Sequence, residues 1–547
     1  MNKLLLYFHT IRFLKFNQIW FRILFKIYKP NIVYNKLPKV INIKNKFIKF
    51  PFKERSYLGN NIFLFLNKKS KISLSGWEYK DDSSLSKLWY YNLHYFNYLN
   101  TNNSDDHFYE HKKLLIKWIN ENKPFIGTGW EPYPTSLRLV NWVKWLVNFN
   151  NPPKVFIHSL VLQARWLYKR LELHLMANHL FANAKALIFV GVIFSGNEAK
   201  KWLTKGLTII LKELKEQVLE DGGNFERSPM YHAIFLEDIL DIINLSQTFP
   251  KTITNSYINQ LSRISIKMLN WLSHMKHPDG EISFFNDAAF KIAPNYLELK
   301  KYSKRLKIKL LDQNKSFIHL RNSGYVKFDY GLAYLLIDMA PIGPKYNPGH
   351  SHADTLSFEL SIKKKRLFVN LGTSSYEAGP IRHKERSTCS HNTVEIDGLN
   401  SSEVWDSFRV ARRANPFNQK VNFSKNKKII SCSHDGYLRN GLKIVHQRKF
   451  ILSEKSLMIN DLIDGKFNFA SAFYHLHPSV NINTINQNEY QLILENGIIT
   501  YFYIESGSSK LINSYYSQEF GKRKNSKTIK INFISNNLNI IINWDAN

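Results

Sequence analysis

Gly349-His350-Ser351-His352-Ala353-Asp354-Thr355-Leu356-Ser357-Phe358-Glu359-Leu360-Ser361-Ile362 alternates apolar and polar residues over its second half, the period of two that a β-strand with one buried face requires. The same period recurs in Tyr325-Val326-Lys327-Phe328-Asp329-Tyr330 and in Thr528-Ile529-Lys530-Ile531-Asn532-Phe533. N-terminal to about Ile318 the spacing changes. Leu115, Trp118 and Ile119, then Leu139, Trp142, Val143 and Leu146, then Leu207, Ile210, Leu211, Leu214 and Val218 recur at helical spacing. Pro152-Pro153, Gly196-Asn197, Asp221-Gly222-Gly223 and Pro278-Asp279-Gly280 separate these blocks into lengths that suit helical hairpins. A single change of period predicts an α+β multidomain chain, helical first and all-β second, with the join between Arg305 and Ser316. The units expected are a basic N-terminal segment over 1–84 that packs on the helical domain, a helical domain over 85–315 and a β-domain over 316–547.

The opening stretch also carries chemistry. In an extended backbone residues i and i+2 share a face, so His350 and His352 can converge, as proton carriers or as metal ligands. A lone His-x-His can equally line a turn. Five further segments accompany it, however: Trp89-Tyr90-Tyr91-Asn92-Leu93-His94-Tyr95-Phe96, Gly129-Trp130-Glu131-Pro132-Tyr133-Pro134, Ala177-Asn178-His179-Leu180-Phe181-Ala182-Asn183, Glu226-Arg227-Ser228-Pro229-Met230-Tyr231-His232 and Ser387-Thr388-Cys389-Ser390-His391-Asn392-Thr393.

In order and separation these segments resemble the heparinase II/III-like polysaccharide lyases, from about Trp89 to Trp405. The resemblance implies an incomplete α/α toroid followed by an antiparallel β-sandwich, with the active site between them. It also implies a lyase that cleaves an acidic, uronate-containing glycan by β-elimination. That reaction requires the uronate carboxylate to be neutralised, the C5 proton removed and the leaving oxygen protonated. On the matching positions, Asn178 and His179 are the carboxylate-neutralising pair, while Tyr231 and His350 are the proton carriers. His352 and His391 match ligands of a structural zinc ion. Two departures stand out. Asn370, in Phe368-Val369-Asn370-Leu371, occupies the place of an expected Asp ligand, so zinc should be held more weakly. Lys384, in Arg382-His383-Lys384-Glu385-Arg386, replaces a tyrosine.

Further substrate contacts are expected from Arg382 and Arg386, whose guanidinium forks suit carboxylate or sulfate, and from Trp130, Glu131 and His94 in the two aromatic segments. An α/α-toroid glycoside hydrolase is the alternative enzyme, with Glu131 as general acid and Asp287 as the second carboxylate. A non-catalytic glycan- or membrane-binding protein of a polysaccharide assembly pathway is the alternative outside enzymes.

Composition agrees with a large enzyme: 547 residues, 44% hydrophobic, are enough for more than one core. Two cysteines, Cys389 and Cys432, build no disulfide framework. The net charge of +33 points to a polyanionic partner, for which an acidic polysaccharide is expected and nucleic acid is not. Glu54 is the only acidic residue among the first 70, so peripheral contact with an anionic membrane surface is also expected. Over 11–27 a helix would align Phe13, Phe16, Trp20, Ile23, Leu24 and Ile27, with Arg12, Lys15, Arg22 and Lys26 alongside. The resemblance implies a periplasmic location. Yet Leu4-Leu5-Leu6-Tyr7-Phe8 is interrupted by His9, Arg12 and Lys15 with no cleavage site following, so a cytoplasmic location is the alternative. Oligomeric state is left open.

Overall fold

A computed structural model describes residues 3–34, 36–41, 45–72, 76–79, 84–102, 104–149, 152–310, 315–423, 427–439 and 442–544. Helices fill the first part, from Lys87–Tyr95 through Phe108–Glu121, Pro132–Leu146, Lys154–Lys169, Ala177–Ile193, Asn197–Gln217, Pro229–Thr248 and Asn255–His274 to Tyr296–Arg305. The breakers read from the sequence fall between them. Ala177–Ile193 is the central helix: nearly every side chain from Leu180 onward is buried, so it lacks the polar face of a surface helix. Glycines let it approach its neighbour Asn197–Gln217 closely. A Cβ on Gly206 would stand 2.7 Å from the Ala184 carbonyl oxygen, and one on Gly191 would stand 2.7 Å from the Leu203 nitrogen.

Strands begin at Phe317. Phe317–Leu320, Tyr325–Tyr330, Ala333–Asp338, Phe358–Ile362 and Lys365–Phe368 form an antiparallel meander of five strands. An eight-stranded and a four-stranded antiparallel sheet follow, and Phe358, Leu360, Ile459, Ile529 and Ile540 share the core among the three sheets. The alternation at 356–362 yields a strand only from Phe358, because Leu356 takes a left-handed conformation (φ 65°). His350 and His352 therefore sit in a loop leading to the strand and not within it.

The N-terminal segment departs from expectation. Instead of one helix over 11–27 there are two, Lys3–Ile11 and Phe16–Ile27, broken at 12–15. A hairpin, Ile62–Phe65 with Lys68–Lys71, then packs Phe65 on Trp89, whose indole N–H donates to the Lys68 carbonyl at 3.0 Å.

Helical and sheet regions share a small core of their own. Trp271 and Met275 meet Tyr325, Tyr334 and Leu336 of the first sheet, and the Trp271 indole donates to Ser323 Oγ at 2.9 Å. Two polar clasps reinforce it: Arg366 pairs with Asp279, and His277 bonds both Ser361 and Glu359. Trp271→Ala should therefore destabilise the protein by about 3–5 kcal/mol, the cost of deleting a buried aromatic. Denaturant unfolding of wild type, followed in parallel by helical and by sheet signals, should give one coincident transition.

Candidate active site

The centre of the site is Asp287, fully buried on the loop after helix Asn255–His274. Its Oδ2 accepts from His350 Nδ1 (2.9 Å) and Arg382 Nη2 (2.8 Å), and its Oδ1 from His352 Nε2 (2.8 Å), Arg382 Nη1 and Thr373 Oγ1 (3.4 Å). Burial alone would raise its pKa. The charge of Arg382 and the bonds from His350, His352 and Arg382 outweigh burial and hold the carboxyl well below its ordinary range. Its backbone is tied as firmly: the carbonyl accepts from Ser228 Oγ at 2.5 Å, and the N–H donates to the His350 carbonyl at 2.9 Å.

Ser228 explains how Tyr231 is placed. It caps helix Pro229–Thr248, accepting the Tyr231 N–H at 3.1 Å, with Pro229 in the first helical position where its missing N–H costs nothing. Tyr231 then stacks on His350, ring centroids 3.7 Å apart. Its hydroxyl lies 3.1 Å from that of Tyr376. Burial, with Tyr376 and Asp287 adding to it, raises the Tyr231 pKa well above 10, so the phenol is protonated. Burial lowers His350 against the opposing pull of Asp287.

Asn178 and His179 open the central helix. The Asn178 carboxamide oxygen accepts the His179 N–H, and His179 Nδ1 bonds Glu172 at 3.0 Å while its ring lies 4.5 Å from that of Tyr133. Tyr133, Tyr231 and Tyr376 line one cleft of about 310 Å³. Backbone strain gathers here. Met176 and Ala177 (φ 63° and 49°), Arg227 (φ 58°) and Asn286 (φ 59°) each adjoin a site segment, and such conformations cost of order 1–3 kcal/mol apiece.

Several expected contacts lie elsewhere. His94 is core: Nε2 bonds the Trp77 carbonyl, Nδ1 accepts from the Trp118 indole, and burial, then Arg138, lowers its pKa to about 3. Trp130 is packed between Trp118 and Phe125. Glu131 is half-buried and binds Tyr91 and Lys87. Arg382 and Arg386 are buried, and neither offers its fork to a ligand. Arg382 clamps Asp287, and Arg386 donates to the carbonyls of Ser351, Asp406 and Arg409. A hydrolase needs two carboxylates able to reach sugar and water, and Asp287 has no oxygen left for either.

Three neighbours carried no sequence signal of a role. Lys384 is exposed, and the phenol beside Tyr231 comes instead from Tyr376. Glu172, seven residues before His179, belongs to no motif. Glu226 stands inside a motif, but its burial could not be read: both carboxylate oxygens lack partners among the described residues, and burial, with Asp287 adding to it, raises its pKa to about 8.

A metal would fall to His352, His391 and Asn370. His352 Nδ1 and His391 Nε2 lie 3.2 Å apart. With zinc–nitrogen bonds of about 2.0–2.1 Å, two ligands of a tetrahedral ion stand roughly 3.4 Å apart, so the pair fits one ion as well as one hydrogen bond. Asn370 fits less well, since its oxygen accepts the Asn392 N–H at 3.2 Å and its amide nitrogen has no partner among the described residues.

Comparison with known proteins agrees with this architecture. Residues 70–309 match the family model "Heparinase II/III N-terminus" and residues 312–545 match "Heparinase II/III-like, C-terminal". A heparin-sulfate lyase of Bacteroides stercoris is 26% identical over 346 residues, covering 54% of this chain and 51% of that protein. A heparin-sulfate lyase of Pedobacter heparinus is 26% identical over 322 residues, covering 53% and 47%. The chain thus spans about half the length of these curated relatives. The crystal structure of a heparinase III superposes with a TM-score of 0.72 over 93% of this chain and 88% of that one; at 16% identity, this likeness establishes the fold.

Two stability outcomes follow. Glu226 is raised in the folded protein, so its stabilising contribution is complete below pH 4.5 and is lost as pH rises to about 8. Melting temperature measured against pH should decline over that window in wild type and decline less in Glu226→Gln. Asp287→Ala, which strands Arg382 and two imidazoles, should cost about 3–5 kcal/mol in denaturant unfolding.

Proposed function

We propose that this chain, which belongs to the heparinase II/III-like family, is a polysaccharide lyase that cleaves a uronate-containing glycan by β-elimination. The Asp287–His350–Tyr231 arrangement carries this assignment. An ionised Asp287 only accepts, so His350 bears its proton on Nδ1, and Nε2 keeps a bare lone pair. Stacked against that neutral base is a neutral phenol. His350 Nε2 takes the C5 proton, and the freed electron pair forms the C4–C5 double bond. The bond from C4 to the glycosidic oxygen breaks as Tyr231 passes its hydroxyl proton to that oxygen. The Tyr376 hydroxyl supports the phenolate so formed, and transfer of the proton from His350 restores the resting pair.

The C5 proton is acidic enough only if negative charge on the uronate carboxylate is offset. Asn178 and His179 serve that purpose at the start of a long helix, whose dipole favours an anion. Glu172 fixes the orientation of His179. The cleft itself balances five cationic side chains with five carboxylates, which supports recognition of one carboxylate by local donors and of sugar rings by tyrosine faces. Because the curated relatives are named heparin-sulfate lyases, glycosaminoglycans are the substrate class we assign. A structural zinc on His352 and His391, weakly aided by Asn370, is part of the same proposal. It would brace the loop behind His350 and take no part in proton transfer.

Incubation with a panel of uronate polymers should release an unsaturated, ultraviolet-absorbing product; a new reducing end without it would point to hydrolysis. Tyr231→Phe and His350→Ala should each lower turnover at least ~100-fold with folding intact. His350 must be neutral to accept a proton. With its pKa below 6.5, the acid limb of kcat/KM should fall below that value and shift with His350 substitution. Asn370→Asp should raise zinc content in protein purified without chelator; absence of zinc from both forms would leave His352 and His391 as hydrogen-bond partners alone.

A further inference from the structure

The first two helices dock through polar groups and a few apolar ones, among them Leu6 and Phe25, and leave a larger apolar set facing outward. Toward the body, Thr10 accepts from the Trp405 indole at 3.1 Å, Lys15 pairs with Glu216, and Gln18, 2% exposed, reaches the Tyr346 carbonyl. Toward solvent, helix Phe16–Ile27 turns Phe16, Trp20, Ile23 and Ile27, which are 76, 52, 54 and 77% exposed. Their spacing of four, three and four residues places them within a narrow arc of one helix face. Leu4 and Phe8 make the corresponding stripe on helix Lys3–Ile11. Among the described residues, 14 of the 32 exposed large hydrophobics fall within the first 37 positions. That concentration exceeds the scattered exposure of an ordinary surface.

We propose that this face rests on an anionic lipid bilayer. Exposed Lys3, Arg12, Arg22, Lys26 and Lys29 flank the apolar stripes, and no acidic residue occurs before Glu54. An amphipathic helix with bulky apolar residues on one face and cations beside them lies in the interface plane, with its cations at headgroup level. Crossing the bilayer is a different matter: among the described residues no helix is long and apolar enough. A second copy of the chain is a poor occupant, because a two-fold contact would set two faces together that each carry Arg22 and Lys26 and no acidic residue. Tethers to both domains, Lys15 to the helical one and Thr10 to the sheet one, would fix the molecule's attitude on the membrane.

Flotation of the full chain with vesicles of phosphatidylcholine, with and without phosphatidylglycerol, tests this. The protein should float with the anionic vesicles at least ~10-fold more than with neutral ones, and added salt should reduce the difference. Trp20→Ser with Ile23→Ser, and separately Arg22→Glu with Lys26→Glu, should each lower flotation by ~10-fold while melting temperature and turnover on soluble glycan stay at wild-type values. No flotation of wild type, or flotation equal in wild type and both variants, would overturn the proposal. So would a lipid-free dimer that the serine variant converts to monomer, which would assign the face to a second copy.

Discussion

One buried negative charge organises this molecule. Taking the Asp287 carboxylate out of water costs several kcal/mol, and the protein offsets that cost only by surrounding it with a bidentate guanidinium and two imidazole donors. Asp287 belongs to the helical region, whereas Arg382, His350 and His352 belong to the sheet region. The interaction that keeps the charge tolerable therefore also links the two regions, beside the Trp271 core and the clasps of Arg366 and His277, and it fixes the tautomer of the His350 imidazole. One interdomain link and the orientation of the His350 ring have a common cause.

A second cluster shows what makes the first one a site. In the β-domain, His434 Nε2 meets His446 Nδ1 at 3.2 Å, His446 Nε2 meets Asp461 at 2.7 Å, and Arg448 clamps the same carboxylate. This repeats the order His391, His352, Asp287, Arg382. All of it is buried, and the outer His434 Nδ1 is satisfied by the Gly436 N–H, so it serves structure only. The cluster around Asp287 differs in its extra arm: His350, with a side chain 14% exposed, bonds the same carboxylate and stacks on Tyr231, which lines the cleft. Access to a ligand distinguishes the two, since their chemistry is otherwise alike.

The change of period from helical to alternating was legible because it follows from backbone geometry that each residue obeys locally, and the breakers marked most helix ends. The motif segments also led to Tyr231 and His350, which meet, and to Asn178 and His179, which open the helix beside Tyr133. Residues whose meaning depends on distant partners were not legible in that way. Arg382 and Arg386 look like anion-binding residues until Asp287 and three backbone carbonyls are found to occupy them. His94 looks like a ligand until Trp77 and Trp118 enclose it. Tyr376 lies in a loop with no periodic signal, and only the fold carries its hydroxyl to that of Tyr231. At the N-terminus the amphipathic pattern was visible, but the break at 12–15 and the outward turn of the apolar stripe were set by tethers hundreds of residues away.

Placing the charge on one domain and all its charged or ring-bearing partners on the other also constrains how such a protein can change over time. A substitution at 287 is tolerable only alongside compensating changes at 350, 352 and 382, so these four positions should drift together. Exchange of a whole domain between distant relatives meets the same barrier. A helical half from one lineage would bring its carboxylate to a sheet half whose arginine and histidines had settled on other partners. The hybrid would inherit two intact domains and no common centre, so gene recombination across the junction near residue 310 should survive only between lineages that kept the same clasp.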